Sequence, residues 1–202
     1  ICSNEFLEKP SWSSLFMIKQ PQVICDKCQS KFELAEMKEY HKDWEGTKFE
    51  GALDSLTSIY SYNEFMKDVL HQYKFLQDVE MSKIFREDFV HLKSETAIIV
   101  PIPMHLEKLK ERTFAQVDEF LIATDISFAQ PLQKTMNTTQ GKKSKLERTQ
   151  SEILFTVTEN VIGKSILLID DLYTTGTTLH HAAYVLKQDG AKKVSALTLV
   201  RE

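Results

Sequence analysis

The clearest apolar signal in the chain is Ile166-Leu167-Leu168-Ile169, an unbroken aliphatic run of strand length that reads as a strand buried on both faces, as in a parallel sheet. Two carboxylates, Asp170 and Asp171, end it. Beyond Leu172 and Tyr173 comes Thr174-Thr175-Gly176-Thr177-Thr178, and then Leu179, Ala182, Ala183 and Leu186 recur at helical spacing until Gly190 offers a stop. Val194 to Val200 supplies a second apolar strand. A strand, loop, helix, strand unit of this kind makes a parallel crossover, and such sheets take ligands at the carboxyl ends of their strands. Further upstream, Phe65, Val69, Leu70 and Tyr73 share one helical face within Tyr60 to Leu76. A second helical pattern after Met81 carries Ile84, Phe85, Phe89 and Leu92 into an apolar strand, Ala97 to Val100. Pro101-Ile102-Pro103 is expected to end that strand, since proline cannot donate to a ladder. The pattern predicts an α/β fold, a parallel sheet flanked by helices.

Composition narrows this picture. With 202 residues and 42% hydrophobic content, the chain can bury one ordinary core and still carry a small appendage. A net charge of −4 exerts no global pull on polyanions, so any nucleic-acid contact would be local. No apolar run approaches the ~20 residues of a membrane span, and the start resembles neither a signal nor a transit peptide. The expectation is a cytoplasmic protein without a transmembrane segment.

The appendage is predicted at the N-terminus. Residues 32 to 48 are polar and charged, with Tyr40, His41 and Trp44 as their bulky features, which reads as a linker or short helix and puts a boundary near residue 46. Residues 1–45 would then form a small module with its linker, and residues 46–202 the main domain. All three cysteines, Cys2, Cys25 and Cys28, fall in the module. In a reducing compartment Cys25-Asp26-Lys27-Cys28 favours a metal or redox role over a disulfide, and no thioredoxin-like pattern surrounds it. A structural Zn2+ site is expected, with a cysteine upstream of Ile1 as fourth ligand and His41 as the weaker substitute. Trp12, Leu15, Phe16, Met17 and Ile18 make an apolar cluster too small to fold without such help. Unligated core cysteines are the plain alternative.

The loop after the acid pair has a chemistry of its own. Amides at a helix N-terminus attract anions, Gly176 permits close approach, and Thr174, Thr175, Thr177 and Thr178 offer hydroxyl donors, which together suit a monophosphate. Adjacent carboxylates suit vicinal hydroxyls or a hydrated Mg2+. Combined, they describe a ribose 5-phosphate site; the plain alternative is a turn whose side chains only cap the helix. Ile166 to Leu179 resembles the 5-phosphoribosyl 1-pyrophosphate (PRPP) motif of type I phosphoribosyltransferases. The resemblance implies a type I phosphoribosyltransferase-like sheet binding PRPP with Mg2+. It assigns Asp170 and Asp171 to the ribose hydroxyls and metal shell, and Thr174, Thr175, Gly176, Thr177 and Thr178 to the 5-phosphate.

Cations are concentrated in Met104 to Gln116, with His105, Lys108, Lys110 and Arg112, where a diphosphate or only solvent is expected. Val100-Pro101-Ile102-Pro103-Met104-His105, followed by Arg112-Thr113-Phe114-Ala115-Gln116, resembles the Val-Pro-x-Pro-x-His and Arg-Gly-Phe-Asn-Gln signatures of ComF-type proteins, the competence factors of natural transformation. Tyr73-Lys74-Phe75, the cysteine module and Gln140 to Arg148 are similar in kind and order. The likeness implies an N-terminal zinc module before a phosphoribosyltransferase domain, a role in uptake of transforming single-stranded DNA, and work beside a membrane-associated ATP-driven DNA translocase, which would recruit the protein to the inner face of the membrane. Arg112 and Lys74 are assigned to the pyrophosphate as catalytic cations beside Asp170 and Asp171. Thr113 and Ala115 stand where the pattern has glycine and asparagine, and Gln77 where glycine is common; these departures weaken the case for turnover more than the case for PRPP binding.

The polar stretch Gln133 to Gln150, with Lys134, Lys142, Lys143, Lys145 and Arg148, reads equally as a lid over PRPP, a basic flap for a nucleic-acid backbone, or a solvated loop. Gly141-Lys142-Lys143-Ser144 is not a P-loop, because Met136 stands where its upstream glycine would be and no buried strand leads in. No general base for an acceptor is identifiable. Two function classes stay open: a phosphoribosyltransferase of unknown acceptor, and a non-catalytic adaptor that binds single-stranded DNA and a DNA translocase or helicase, with PRPP only as regulator.

Overall fold

The computed structural model describes residues 2, 23–36, 39–75, 78–135 and 153–202. Its centre is a four-stranded sheet in the order β1-β6-β5-β2, with β1 Ser55–Ser61, β2 Ile98–Pro101, β5 Ser165–Tyr173 and β6 Lys193–Arg201. Every neighbouring pair in it runs parallel. A separate antiparallel pair, β3 Leu132–Lys134 with β4 Phe155–Val157, stands beside it. The helices are α1 Asp26–Gln29, α2 Glu64–Phe75, α3 Arg86–Phe89, α4 Leu106–Arg112, α5 Gln116–Ala123 and α6 Thr177–Gln188. Among the described residues no helix is long and apolar enough to cross a membrane.

Strand β5 is buried on both faces. Leu168 packs with Leu179, Ala182, Ala183 and Leu186 of α6, whereas Ile169 joins Tyr73 of α2, Phe120 of α5 and the Phe85, Phe89 pair. Because successive strand residues alternate sides, each layer of helices takes every other residue of β5. This is the α/β parallel sheet flanked by helices that the pattern predicts.

Several boundaries differ from expectation. β5 does not end at the carboxylates: Asp170 pairs with Thr198 and Tyr173 with Arg201, so both acids sit within the ladder. Tyr60 is not the start of a helix but belongs to β1, where it pairs with Val200, and α2 begins only after Asn63, whose Oδ1 accepts the Met66 N–H at 2.8 Å as a cap. The pattern after Met81 is not one helix; two 3-10 segments, Val79–Phe85 and Val90–Ser94, flank the single turn of α3, and the break still buries Phe85, Phe89 and Leu92. Pro101 remains in β2, opposite Ile169. The next residue, Ile102, donates to Ile169 O at 2.9 Å, so the proline nitrogen faces the outer edge, where no ladder bond is lost.

Residues 32 to 48 are not a free linker. Glu33 O accepts from Ser61 N at 2.8 Å and Ala35 N donates to Ile59 O at 2.9 Å, which extends the sheet past β1. Phe32 lies among Tyr60, Phe65 and Phe85 at ring separations of 5.2, 5.1 and 5.7 Å. A 3-10 turn, Lys42–Trp44, then delivers Trp44, 2% exposed, onto α6. Trp12, Leu15, Phe16, Met17, Ile18 and Gln77 lie outside the described residues.

Candidate functional site

The acid pair sits near the carboxyl end of β5, and its two members turn to opposite faces. Asp171, on the α2 side, holds Lys74 from the last turn of α2, Oδ2 to Nζ 2.5 Å, with both side chains largely shielded from solvent. Tyr73, fully buried beside it, donates its hydroxyl to Gln116 O at 2.7 Å and so ties the end of α2 to the start of α5. Asp170 faces the other layer and accepts the Asp171 N–H at 2.9 Å. Burial first, and the neighbouring Asp171 charge second, push its carboxyl up to about 7, while Lys74 and Lys134 pull in the opposite direction. Asp170 is therefore less fully compensated by positive charge than Asp171.

The threonine loop turns the chain from β5 into α6. Gly176 adopts φ 75°, and a Cβ there would approach Tyr173 Oη to 2.5 Å, so both the backbone angle and the underlying ring require glycine. Thr175 and Thr177 join their hydroxyls at 2.9 Å. The N-cap of α6 is Gly176, which has no side chain to cap the first turn. The N–H groups of that first turn are the ones a helix start leaves without an intrahelical partner. Gly176 O accepts both the His180 N–H and His180 Nδ1, each at 3.0 Å.

Cations approach from three elements. Lys134, the last residue of β3, lies with its ammonium 5.7 Å above the Phe155 ring; burial and Lys108 hold its pKa below the ordinary lysine value, and Asp170 offsets them in part. Arg112 donates from Nη1 to Gln116 Oε1 at 2.8 Å and rests 5.6 Å over the Phe75 ring. Arg112 thus rests on the residue next to Lys74 in sequence, while Lys74 itself is engaged by an acid rather than aimed at open space. Lys134 heads the basic stretch that the sequence reads as a lid, a nucleic-acid flap or a solvated loop, and the structure brings its charge toward Asp170. Lys142, Lys143, Lys145 and Arg148 lie outside the described residues.

Both departures in the Arg112 to Gln116 motif have a structural meaning. Thr113 is the C-cap of α4 at φ 66°, a left-handed position that glycine occupies without strain. Ala115 is the N-cap of α5 and gives it no side-chain hydrogen bond, where an asparagine would cap. His105 instead caps α4, accepting the Glu107 N–H through Nδ1 at 3.3 Å.

A second cluster joins Cys2, Cys25 and Cys28, whose sulfurs all lie within 4.8 Å of one another. Cys2 and Cys25 are 3.6 Å apart, close to the ~3.8 Å edge of a tetrahedron of sulfurs around zinc. Burial, then the other two cysteines, push the Cys28 thiol up to about 11, so a thiolate there needs a bound cation. The donor set fits a metal ion. His41 does not join it: its ring lies 3.8 Å from that of Tyr40, in the segment that docks on α6.

Comparison with known proteins covers the whole chain. The phosphoribosyl transferase domain family matches residues 92–202. The chain is 35% identical over 225 residues to competence protein ComFC of Bacillus subtilis (strain 168), which spans 100% of this chain and 93% of that protein. With competence protein ComFC of Streptococcus pneumoniae (strain ATCC BAA-255 / R6) it shares 29% identity over 218 residues, covering 100% of this chain and 98% of that one. Among solved structures, a hypoxanthine phosphoribosyltransferase from Staphylococcus aureus aligns with TM-score 0.41 and 13% identity over 70% of this chain and 73% of its own.

The Asp170 environment predicts a pH-dependent effect on stability. A carboxyl raised above its unfolded value favours folding at low pH, and that contribution is lost as pH climbs from about 4 to about 7. Without ligand or divalent metal, Asp170→Asn is expected to be more stable than the parent by roughly 1–2 kcal/mol at pH 8, with the gain vanishing towards pH 4. Urea unfolding across that range reads the effect; a variant less stable at pH 8 contradicts the charge balance described.

Proposed function

Because the chain belongs to the family of competence protein ComFC and carries a phosphoribosyltransferase domain, we propose that its acid pair and threonine loop bind PRPP. The observation that carries this reading is the uncapped N-terminus of α6, opened by Gly176 and set directly beyond Asp170 and Asp171. In this assignment Thr174, Thr175, Gly176, Thr177 and Thr178 receive the 5-phosphate through amides and hydroxyls, and Asp170 and Asp171 accept hydrogen bonds from the ribose hydroxyls. Mg2+, held by the acids and the ligand's oxygens, would neutralise charge on the diphosphate.

The chemistry follows from where charge develops. When the bond from C1 to the diphosphate breaks, the sugar carbon becomes electron-poor and the leaving oxygens gain negative charge. Arg112, flanked by the Phe75 ring, and the lysines nearest Asp170 supply compensating charge in a shielded setting. Lys74 neutralises Asp171 before ligand arrives, which keeps two adjacent acids from repelling each other while the site is empty of sugar. Turnover also demands an acceptor activated for attack, and the described residues identify no base for it.

A second reading, an adaptor whose PRPP site only regulates it, is favoured by one observation. Thr113 spends backbone strain at the position where a glycine would free amides for a leaving diphosphate. Under either reading the protein would serve DNA uptake on the inner side of the membrane, beside an ATP-driven translocase. The three cysteines would hold a structural Zn2+ with one further ligand.

Calorimetry is expected to show PRPP binding that needs Mg2+ and falls at least tenfold in Asp170→Ala and in Asp171→Ala; equal binding by the parent and both variants rules this site out. Pyrophosphate release with candidate bases or DNA would favour the enzyme, and tight binding without release the adaptor. Metal analysis of the full-length protein should return about one zinc per chain, lost in Cys25→Ser/Cys28→Ser, and a metal-free, folded parent would exclude the zinc assignment. For the adaptor, single-strand binding should weaken with salt and in Lys142→Gln/Lys143→Gln/Lys145→Gln, and salt-independent binding would speak against it.

A further inference from the structure

We propose that His180 is a positioning residue for the phosphate loop and that Trp44, carried by the segment 39–49, holds it in place, so that this N-terminal segment sets the affinity for the 5-phosphate. The inference rests on the PRPP reading of the loop and adds a part of the chain that the motif does not contain.

The geometry begins at one peptide unit. Gly176 O accepts from the His180 backbone N–H and from His180 Nδ1, both at 3.0 Å, which requires the ring proton on Nδ1. A peptide unit is planar and trans, so its carbonyl and the following N–H point in opposite directions. Fixing Gly176 O toward His180 therefore fixes the Thr177 N–H outward, along the direction from which a phosphate would approach α6. The ordinary helical bond from the His180 N–H already aligns this carbonyl, and the bond from Nδ1 adds a second constraint on the same oxygen.

The ring that makes the bond is itself held by the N-terminal segment. His180 is 3% exposed, and the Trp44 indole stacks on it at 4.1 Å with 12° between planes. Trp44 meets Phe49 edge-on at 5.7 Å, and Phe49 stacks on His181 at 4.1 Å, so two adjacent histidines of α6 are covered by two aromatics five residues apart. The turn that presents Trp44 is closed by its own bonds, Trp44 N to His41 O at 2.9 Å and Thr47 Oγ1 to Trp44 O at 2.7 Å. Burial pushes the His180 pKa down to about 4, so the ring is neutral at ordinary pH and the bond to Gly176 O selects its Nδ1–H tautomer. Nothing in a core role alone would require a donor at this position, because a leucine fills an aromatic-lined slot at lower desolvation cost.

The test uses ribose 5-phosphate as probe with the full chain, after circular dichroism confirms folding. His180→Leu, which packs but cannot donate, should weaken binding about tenfold; His180→Asn, whose amide nitrogen lies where Nδ1 does, should stay within about threefold of the parent. Trp44→Ala should weaken binding similarly and Trp44→Phe restore it. In a Trp12→Phe background Trp44 is the single tryptophan, and its emission should shift on saturation with ribose 5-phosphate. The inference is overturned by a folded His180→Leu or Trp44→Ala that binds like the parent, or by Trp44 emission that ignores the ligand; should His180→Leu not fold, the Trp44 pair and the emission decide. A parent that binds no ribose 5-phosphate at millimolar concentration sinks the PRPP reading itself and this inference with it, whereas a binding parent with indifferent variants sinks the inference alone.

Discussion

Two carboxylates side by side on a buried strand repel each other and lose hydration, and the rest of the structure is arranged around tolerating them. Strand alternation separates Asp170 and Asp171 onto opposite faces, so each meets a different layer. Asp171 receives Lys74 from α2, while Asp170 is left with a raised carboxyl pKa and the more remote charges of Lys74 and Lys134. Such an asymmetric pair costs stability, and a fold keeps a cost of that kind where a ligand or cation completes the charge balance.

Placing the acids there demands the helices that surround β5. Tyr73 inserts fully into the layer containing Phe120 and uses its hydroxyl to lock α2 onto Gln116, and that lock is what brings Lys74 to Asp171 and Phe75 under Arg112. On the opposite face the small residues Ala182 and Ala183 let α6 lie close to Leu168, which sets the threonine loop at the strand's end. Packing of buried side chains, together with the Tyr73 hydroxyl bond, thus brings Lys74 and the threonine loop to the acid pair.

The central unit was legible because its signals are local: an aliphatic run, a helical period, and a loop whose composition suits one chemistry. What escaped notice depends on distant partners. β1 reads as polar, Ser-Leu-Thr-Ser-Ile-Tyr-Ser, yet Ser58 satisfies its hydroxyl on Thr198 of β6 at 2.7 Å, so an inward polar residue does not break the strand. Three-residue strands such as β3 and β4 have no period to detect. Trp44 sits in a charged stretch that looks like linker, and only α6, more than a hundred positions later, explains its burial. Lys74 shows the same limit: spacing shows a cation at a helix end, and the fold shows that it pairs with Asp171.

The most direct test of the account is a crystal structure with PRPP and Mg2+ bound. It should show the 5-phosphate against the amides of Thr177 and Thr178, the ribose hydroxyls on Asp170 and Asp171, and the diphosphate on the Arg112 side. A phosphate lodged elsewhere, with the Thr175 to Thr177 hydroxyl contact intact and the acid pair untouched, would contradict it.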